Sequence, residues 1–180
     1  MAKLTVGDKL PDFTFQTVDE KDLKISEAVK AAGKTALVFL RYYGCPFCQL
    51  DMHDYAENFD EITASGGRFY VVLQSDPEKL SAALSGKSLP YPVICDPGQE
   101  LYRLLDISAA ASMENMMGPK APAKIERVKA GGYQHGDYEG EELQLPATFV
   151  VDPDLNVLYA HYAAEAADSA TADELIRILK

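Results

Sequence analysis

Cysteine and histidine are scarce in this chain, three of each among 180 residues, and positive charge is scarcer than negative. Only two of the cysteines, Cys45 and Cys48, share a spacing; Cys95, His53, His135 and His161 each stand alone. A scaffold held by several disulfides is thereby ruled out, and a four-ligand zinc site lacks its second pair. Lys and Arg number 17 against 28 Asp and Glu, a formal charge of −11 with a pI near 4.6. A chain of that sign repels nucleic acid and the anionic inner face of a membrane, so neither is expected as a partner. No apolar run approaches the ~20 residues of a membrane span, and the opening MAKLTVGDKLPDF carries no apolar stretch of a targeting sequence. The expectation is a soluble cytoplasmic protein, a single domain over residues 1–180, large enough to bury a core without disulfides.

What the chain does have is Arg41-Tyr42-Tyr43-Gly44-Cys45-Pro46-Phe47-Cys48-Gln49. Before it, Thr35 to Tyr42 is a nearly unbroken apolar run of strand length, the pattern of a strand buried on both faces. After it, Cys48, Met52, Tyr55, Phe59 and Ile62 recur at the spacing of one helix face. This predicts that Cys45 sits just ahead of the first turn, exposed at the helix mouth, where free backbone N–H groups and the helix dipole favour a thiolate. Pro46 suits the first helical position, and Cys48 begins the core-facing stripe one turn deeper. Residues three apart on a helix bring their Cβ atoms to about 5–6 Å, and a disulfide needs about 3.5–4.5 Å, so a small adjustment closes the pair. Cys45 is therefore the expected nucleophile and Cys48 the resolving thiol. Asp51 and Asp54, in the first two turns, oppose ionisation. The same two cysteines could be small buried hydrophobes or part of a metal site, but the strand-to-helix setting matches redox chemistry.

Elsewhere, Phe13 to Val18 and Leu23 to Ile25 read as a hairpin, and Ser26 as the cap of a short helix ending at Gly33. The stripe from Cys48 runs to Gly66-Gly67, followed by a buried strand from Arg68 to Gln74, which completes a βαβ unit. Asp76-Pro77 opens a helix to about Leu84; Tyr91 to Cys95 is a short strand, with Cys95 a core residue, and Gln99 to Leu105 a helical segment. From about 106 to 142 no apolar stripe is clear: an insertion, partly helical around Ser112 to Met117, whose Met113, Met116 and Met117 either fill gaps or form an adaptable surface. Gly131 to Tyr138 reads as a mobile loop able to cover a site, with His135 either an ordinary loop residue or a solvent-side proton donor. Leu145 to Asp152 and Val157 to Tyr162 form the last hairpin, with His161 structural, and Thr171-Ala172-Asp173-Glu174 is a capping box opening a final helix.

Three stretches together resemble the thioredoxin superfamily, and more narrowly its peroxiredoxin-like AhpC/TSA antioxidant family: Val6 to Phe13, Phe39 to Cys48, and Leu145 to Asp152 with Tyr159 to Tyr162. The resemblance implies an α/β thioredoxin-like fold, a mixed central sheet flanked by helices, with the N-terminal hairpin and the insertion as additions. It also implies that Pro146 is cis beside the cysteine pair and that Leu145, before it, offers its backbone to substrate. One departure stands out. The family's Pro-x-x-x-Thr-x-x-Cys pattern becomes Arg41, Cys45 and Cys48 counted back from Cys48, or Val38, Tyr42 and Cys45 counted back from Cys45, and residues 145–162 hold no arginine. This favours a thiol-disulfide oxidoreductase acting on protein or small-molecule disulfides, supplied by a thiol electron donor and needing no cofactor or metal. The alternatives are a thiol peroxidase reducing hydroperoxides through a Cys45 sulfenic acid, a copper or zinc module using both cysteines with His135 or His161, and a non-enzymatic redox sensor. Assembly as a homodimer is left open.

Overall fold

A computed structural model describes residues 3–180. The chain opens with a minimal hairpin, β1 (Thr14–Phe15) against β2 (Leu23–Lys24). It continues through α1 (Ile25–Ala28), extended by one 3₁₀ turn over Val29–Ala31. Ser26 is not the cap expected: the helix begins one residue earlier, and the Ser26 hydroxyl instead donates to Asp12 at 2.9 Å. β3 (Thr35–Phe39) is buried at all five positions, as its apolar run required. The expected long helix forms as two pieces, α2 (Pro46–Glu57) and α3 (Phe59–Thr63), which share Asn58 as the junction. The apolar stripe crosses the break, because both pieces pack on the same side of the sheet.

β4 (Arg68–Leu73), α4 (Pro77–Leu84), β5 (Val93–Cys95) and α5 (Glu100–Leu104) follow near their expected places. The Asp76 carboxylate accepts from the Glu78 and Lys79 N–H groups, satisfying two of the free donors at the start of α4. Between α5 and β6 the sequence shows little pattern, yet two helices form, α6 (Met113–Met116) and α7 (Ala121–Ala130). α7 was not foreseen. Its buried stripe is Ala121, Lys124 and Val128, and a lysine in the middle of a three-residue stripe hides the period. The chain ends with β6 (Ala147–Val151), β7 (Val157–Tyr162) and α8 (Ala172–Leu179), whose Thr171–Glu174 capping box is formed.

The sheet order is β5-β4-β3-β6-β7, with β3 parallel to β4, β4 parallel to β5, and β6 antiparallel to both β3 and β7. This is the mixed sheet between helix layers that the resemblance implied. Alternate residues of β3 feed two cores: Ala36 and Val38 face the layer holding α2 and α8, while Leu37 and Phe39 meet Phe15, Ile25 and Tyr102. Both cysteines of the pair belong to the first core.

Pro146 departs from expectation. No cis peptide bond occurs among the described residues, so Pro146 is trans. The trans form is favoured by about 0.5–1 kcal/mol before any context acts. Here the Pro146 carbonyl also accepts from Ala163 N–H at 3.0 Å, which extends the β6–β7 ladder in this conformation.

Candidate active site

Cys45 is the N-cap of α2 in extended backbone (φ −73°, ψ 122°), and Pro46 begins the helix as its fixed φ suits. The turn that delivers it is closed by the Cys45 N–H donating to the Tyr42 carbonyl at 3.1 Å. Cys48 follows one turn on, inside the helix. Both thiols are free, and the Cys48 thiol donates to the Cys45 sulfur. The Arg41 guanidinium lies against the same sulfur, Nη2 to Sγ 3.0 Å, while the Arg41 backbone N–H donates to Cys48 Sγ at 3.3 Å.

These contacts separate the two sulfurs chemically. The hydrogen bond from Cys48 leads in holding the Cys45 thiol down, to about 6; burial works against it, and Arg41 and the Cys48 backbone N–H add to the lowering. Cys48 moves the opposite way, well above the ordinary thiol range, because burial and the neighbouring Cys45 both disfavour its charge. At neutral pH the pair therefore holds one thiolate, on Cys45, and one thiol, on Cys48.

Exposure differs from expectation. Cys45 is only 2% exposed and Cys48 4%, so the first sulfur is not open at the helix mouth. Phe47, Gln144, Pro146 and Ala166 close over the pair and leave a cavity of about 10 Å³. A buried thiolate is tolerated because a guanidinium, a thiol and a helix N–H all point at it, which repays the lost hydration. On the other side, residues 134–138 lie across the turn: Gly136 N–H donates to the Gly44 carbonyl at 2.8 Å, and Gln49 Nε2 to the Gln134 carbonyl at 3.0 Å. The loop thus packs on the turn that precedes Cys45 and does not line the cavity over the sulfurs.

Gly44 permits that approach. A Cβ there would fall 2.2 Å from the Asp137 carbonyl oxygen and 2.9 Å from its nitrogen, both backbone atoms. Gly44→Ala is therefore expected to cost about 1–3 kcal/mol by overpacking. Thermal unfolding reads this as a fall in Tm of about 2–4 °C per kcal/mol; an unchanged Tm would mean that the loop does not rest on Gly44.

Arg41 and α7 are the parts of the site that the sequence did not announce. The signal for Arg41 was a lone cation ending an apolar run, a charge that burial obliges to find a partner. It also contacts Met116 Sδ at 3.7 Å and donates to the Glu142 carbonyl, so it ties the cysteine turn to the segment that covers it. The two acids expected to oppose Cys45 are both neutralised by α7. Lys124 Nζ lies 2.7 Å from Asp51, and Arg127 Nη2 2.8 Å from Asp54.

The remaining candidates fall outside the sulfur pair. His135 Nδ1 is 2.8 Å from the Gly136 carbonyl, which assigns it the proton and leaves Nε2 to accept from the Tyr42 hydroxyl at 3.0 Å. It therefore touches Tyr42 and neither sulfur. His161 pairs with Asp168 at 2.8 Å in the structural role expected. Cys95 is a core residue whose thiol burial pushes up to about 12, with Asp76 and Glu139 adding to the rise. Met116 is buried, whereas Met113 and Met117 are exposed, so packing and surface roles divide among the three methionines. Among the described residues, no three His, Cys, Asp or Glu side chains are grouped to hold a metal ion, and no helix is long and apolar enough to cross a membrane.

Pro146 lines the cavity beside both cysteines. Leu145, by contrast, already has backbone partners within the chain: its N–H donates to the Ser108 carbonyl at 3.4 Å, and its carbonyl accepts from Gln144 Nε2 at 3.1 Å.

The sequence pattern of the AhpC/TSA family matches residues 6–160. Two curated relatives from two strains of Mycobacterium tuberculosis, each described as a candidate peroxiredoxin, are 25% identical over 167 residues, which is 91% of this chain and 88% of the relative. Among solved structures, the peroxidoxin BcpB of M. tuberculosis superposes with a TM-score of 0.68 at 16% identity, over 97% of this chain and 95% of that one. A thiol:disulfide interchange protein DsbE from Chlorobium tepidum, so described provisionally, gives 0.61 at 18% identity, over 99% and 100%. Reduced 2-Cys peroxiredoxin from Plasmodium vivax gives 0.69 at 11% identity, over 97% and 79%. At these identities the structural matches establish the thioredoxin-like fold.

Proposed function

The chain belongs to the AhpC/TSA family and is an oxidoreductase of peroxiredoxin-like, thioredoxin-fold type, and from that premise we propose that it is a thiol-disulfide oxidoreductase working through Cys45 and Cys48. The observation that carries this reading is the division of labour between two adjacent sulfurs: one thiolate favoured by Cys48 and the Arg41 guanidinium, one thiol held protonated one turn later. The Cys45 thiolate attacks one sulfur of a substrate disulfide, forming a mixed disulfide and releasing the other half as a thiolate. Cys48 then displaces the second half, leaving a Cys45–Cys48 disulfide that an external thiol donor reduces. Pro146, in the cavity wall, is the substrate contact in this reading. Leu145 could offer its backbone only if the Ser108 segment withdrew. The substrates are protein or small-molecule disulfides, and the setting is the reducing cytosol, where a Cys-x-x-Cys pair cycles rather than persists as a staple.

The test is a pair of single substitutions. Cys45→Ser is expected to abolish insulin disulfide reduction, and Cys48→Ser to accumulate a mixed disulfide on Cys45, visible by intact mass. Equal activity in the two variants would remove the assignment.

A second reading, thiol peroxidase, is favoured by the small cavity beside the pair and by the guanidinium already at the reactive sulfur. There the Cys45 thiolate takes the terminal oxygen of a hydroperoxide as the O–O bond breaks and the alcohol, or water, departs, and Cys48 condenses with the sulfenic acid, releasing water. Stopped-flow oxidation by hydrogen peroxide no faster than that of a free thiol would eliminate it.

A further inference from the structure

A cavity of about 620 Å³ lies apart from the cysteines, and none of the residues lining the space beside the sulfur pair contributes to it. Its volume falls within the range of about 300–1,000 Å³ typical of small-molecule sites. One wall is the start of β4, a second the turn between β1 and β2, and a third the segment running from the end of α4 into β5. We propose that this cavity binds a free monocarboxylate with an apolar body, a medium-chain fatty acid being the simplest example, with the carboxylate held by Arg68 and Tyr70.

Two donors in the wall lack partners. Arg68 and Tyr70 stand two apart on β4 and so share one face of the strand. The Arg68 guanidinium lies over the Tyr70 ring, Cζ 5.6 Å from its centroid, and its side chain makes no ion pair or hydrogen bond among the described residues. That stands out in a chain with 28 acidic residues for 17 basic ones. Tyr70 is 5% exposed, yet its hydroxyl also has no hydrogen-bond partner among the described residues. A buried phenol ordinarily finds one. Tyr70 lines the cavity, so an acceptor held there supplies the missing bond. A carboxylate answers both groups: it only accepts, its two oxygens match the planar guanidinium fork, and lone pairs remain for the phenol.

The rest of the lining selects the body and the charge of the ligand. Val18, Leu84 and Leu89 are only partly buried where they pack on one core, as is Leu23 on the other, and all four face the cavity. Carbon seated against them leaves water, with a gain that grows with the area covered. Lys87 stands where the chain turns back after α4, its N–H donating to the Leu84 carbonyl at 2.9 Å, and its exposed ammonium adds attraction for an anion. Asp19 and Glu20 also line the cavity, and both are exposed. Their charges repel a phosphate ester or a polyanion more than a ligand whose one negative charge sits on Arg68, which narrows the class to monoanions.

The experiment is calorimetric titration of the full chain with decanoate below its micelle concentration, which is expected to show saturable binding of one decanoate per chain. Decanol, with the same body and no charge, should bind at least about tenfold more weakly. Arg68→Met should weaken decanoate at least about tenfold while leaving decanol within about twofold, and Tyr70→Phe, which keeps the ring, should weaken decanoate about threefold or more. The proposal is overturned by an absence of saturable decanoate binding, by decanol binding as tightly as decanoate, or by either variant binding decanoate as wild type does. A loss of decanol binding in Arg68→Met equal to the loss of decanoate also overturns it, since Arg68 would then only shape the wall. Should the variants not fold, amide NMR spectra of the wild-type chain decide. Shifts on adding decanoate that are confined to the β1–β2 turn, the start of β4 and residues 84–93 support the site, and shifts centred on the cysteine turn or scattered over the surface overturn it.

Discussion

Arg41→Met is expected to raise the ionisation of Cys45 from about 6 towards the ordinary thiol range, and so to displace the whole pH dependence of its reactivity. With the guanidinium gone, the Cys48 thiol and one backbone N–H are left to hold a thiolate that is 2% exposed, and burial opposes them with less to offset it. Reaction with a neutral disulfide shows the consequence. At pH 6.5 the thiolate fraction falls from roughly three quarters to about 1% if the thiol returns to about 8.5. A more basic thiolate is about tenfold more nucleophilic over that interval, so the net loss is about sevenfold. Above about pH 9, where both proteins are ionised, the variant should be the faster one. Rate profiles that cross in this way identify Arg41 as the stabiliser of the thiolate; a midpoint still near 6 would assign that role to Cys48 and the helix alone. The sign extends to stability. Because the folded chain binds the Cys45 proton less tightly than the unfolded chain, ionisation of Cys45 stabilises the reduced protein as pH rises from about 6 to about 8.5 and ceases to do so as pH falls again. Arg41→Met should lose that rise.

The sequence exposes those parts of the molecule whose cause is local. The apolar run over 35–42, the Cys-Pro at the following turn and the three–four period after it place Cys45 and Cys48 correctly on one strand-turn-helix. Asp76-Pro77 and the Thr171–Glu174 capping box mark helix starts that form as read. What stayed hidden is decided by partners far along the chain. The closure of Cys45 comes from Gln144, Pro146 and Ala166, about a hundred residues downstream, and no pattern near position 45 encodes it. The isomer of Pro146 goes with its carbonyl's bond to Ala163. Helix α7 is concealed for a related reason: its central inward residue, Lys124, is read as a surface charge until Asp51 and Ser169 are known to meet it. The acids that looked like opponents of Cys45 and the helix that lay in a stretch without a clear stripe are two halves of one arrangement.

That arrangement leads to the largest stability effect. Lys124→Met keeps most of the aliphatic stem but leaves Asp51 buried with only the Ser169 hydroxyl, and it removes the ammonium that lies 5.3 Å from the Phe47 ring centroid. Removing one partner of a buried ion pair costs about 3–5 kcal/mol, because the other charge keeps its desolvation and loses its compensation. The size of the loss must depend on pH. Burial already raises Asp51 in the folded protein, and without Lys124 it rises further. A carboxyl with a higher pKa folded than unfolded binds its proton preferentially in the folded state, so the stability of the variant falls as pH rises through the unfolded value towards the folded one. Urea unfolding should therefore show a deficit against wild type that is larger at pH 8 than at pH 5. Asp51→Leu combined with Lys124→Met should recover much of the loss, since an apolar pair of similar volume needs no compensation. A single Lys124→Met variant as stable as wild type at pH 8 would show that Asp51 is hydrated or protonated there, and that α7 is held to α2 by packing alone.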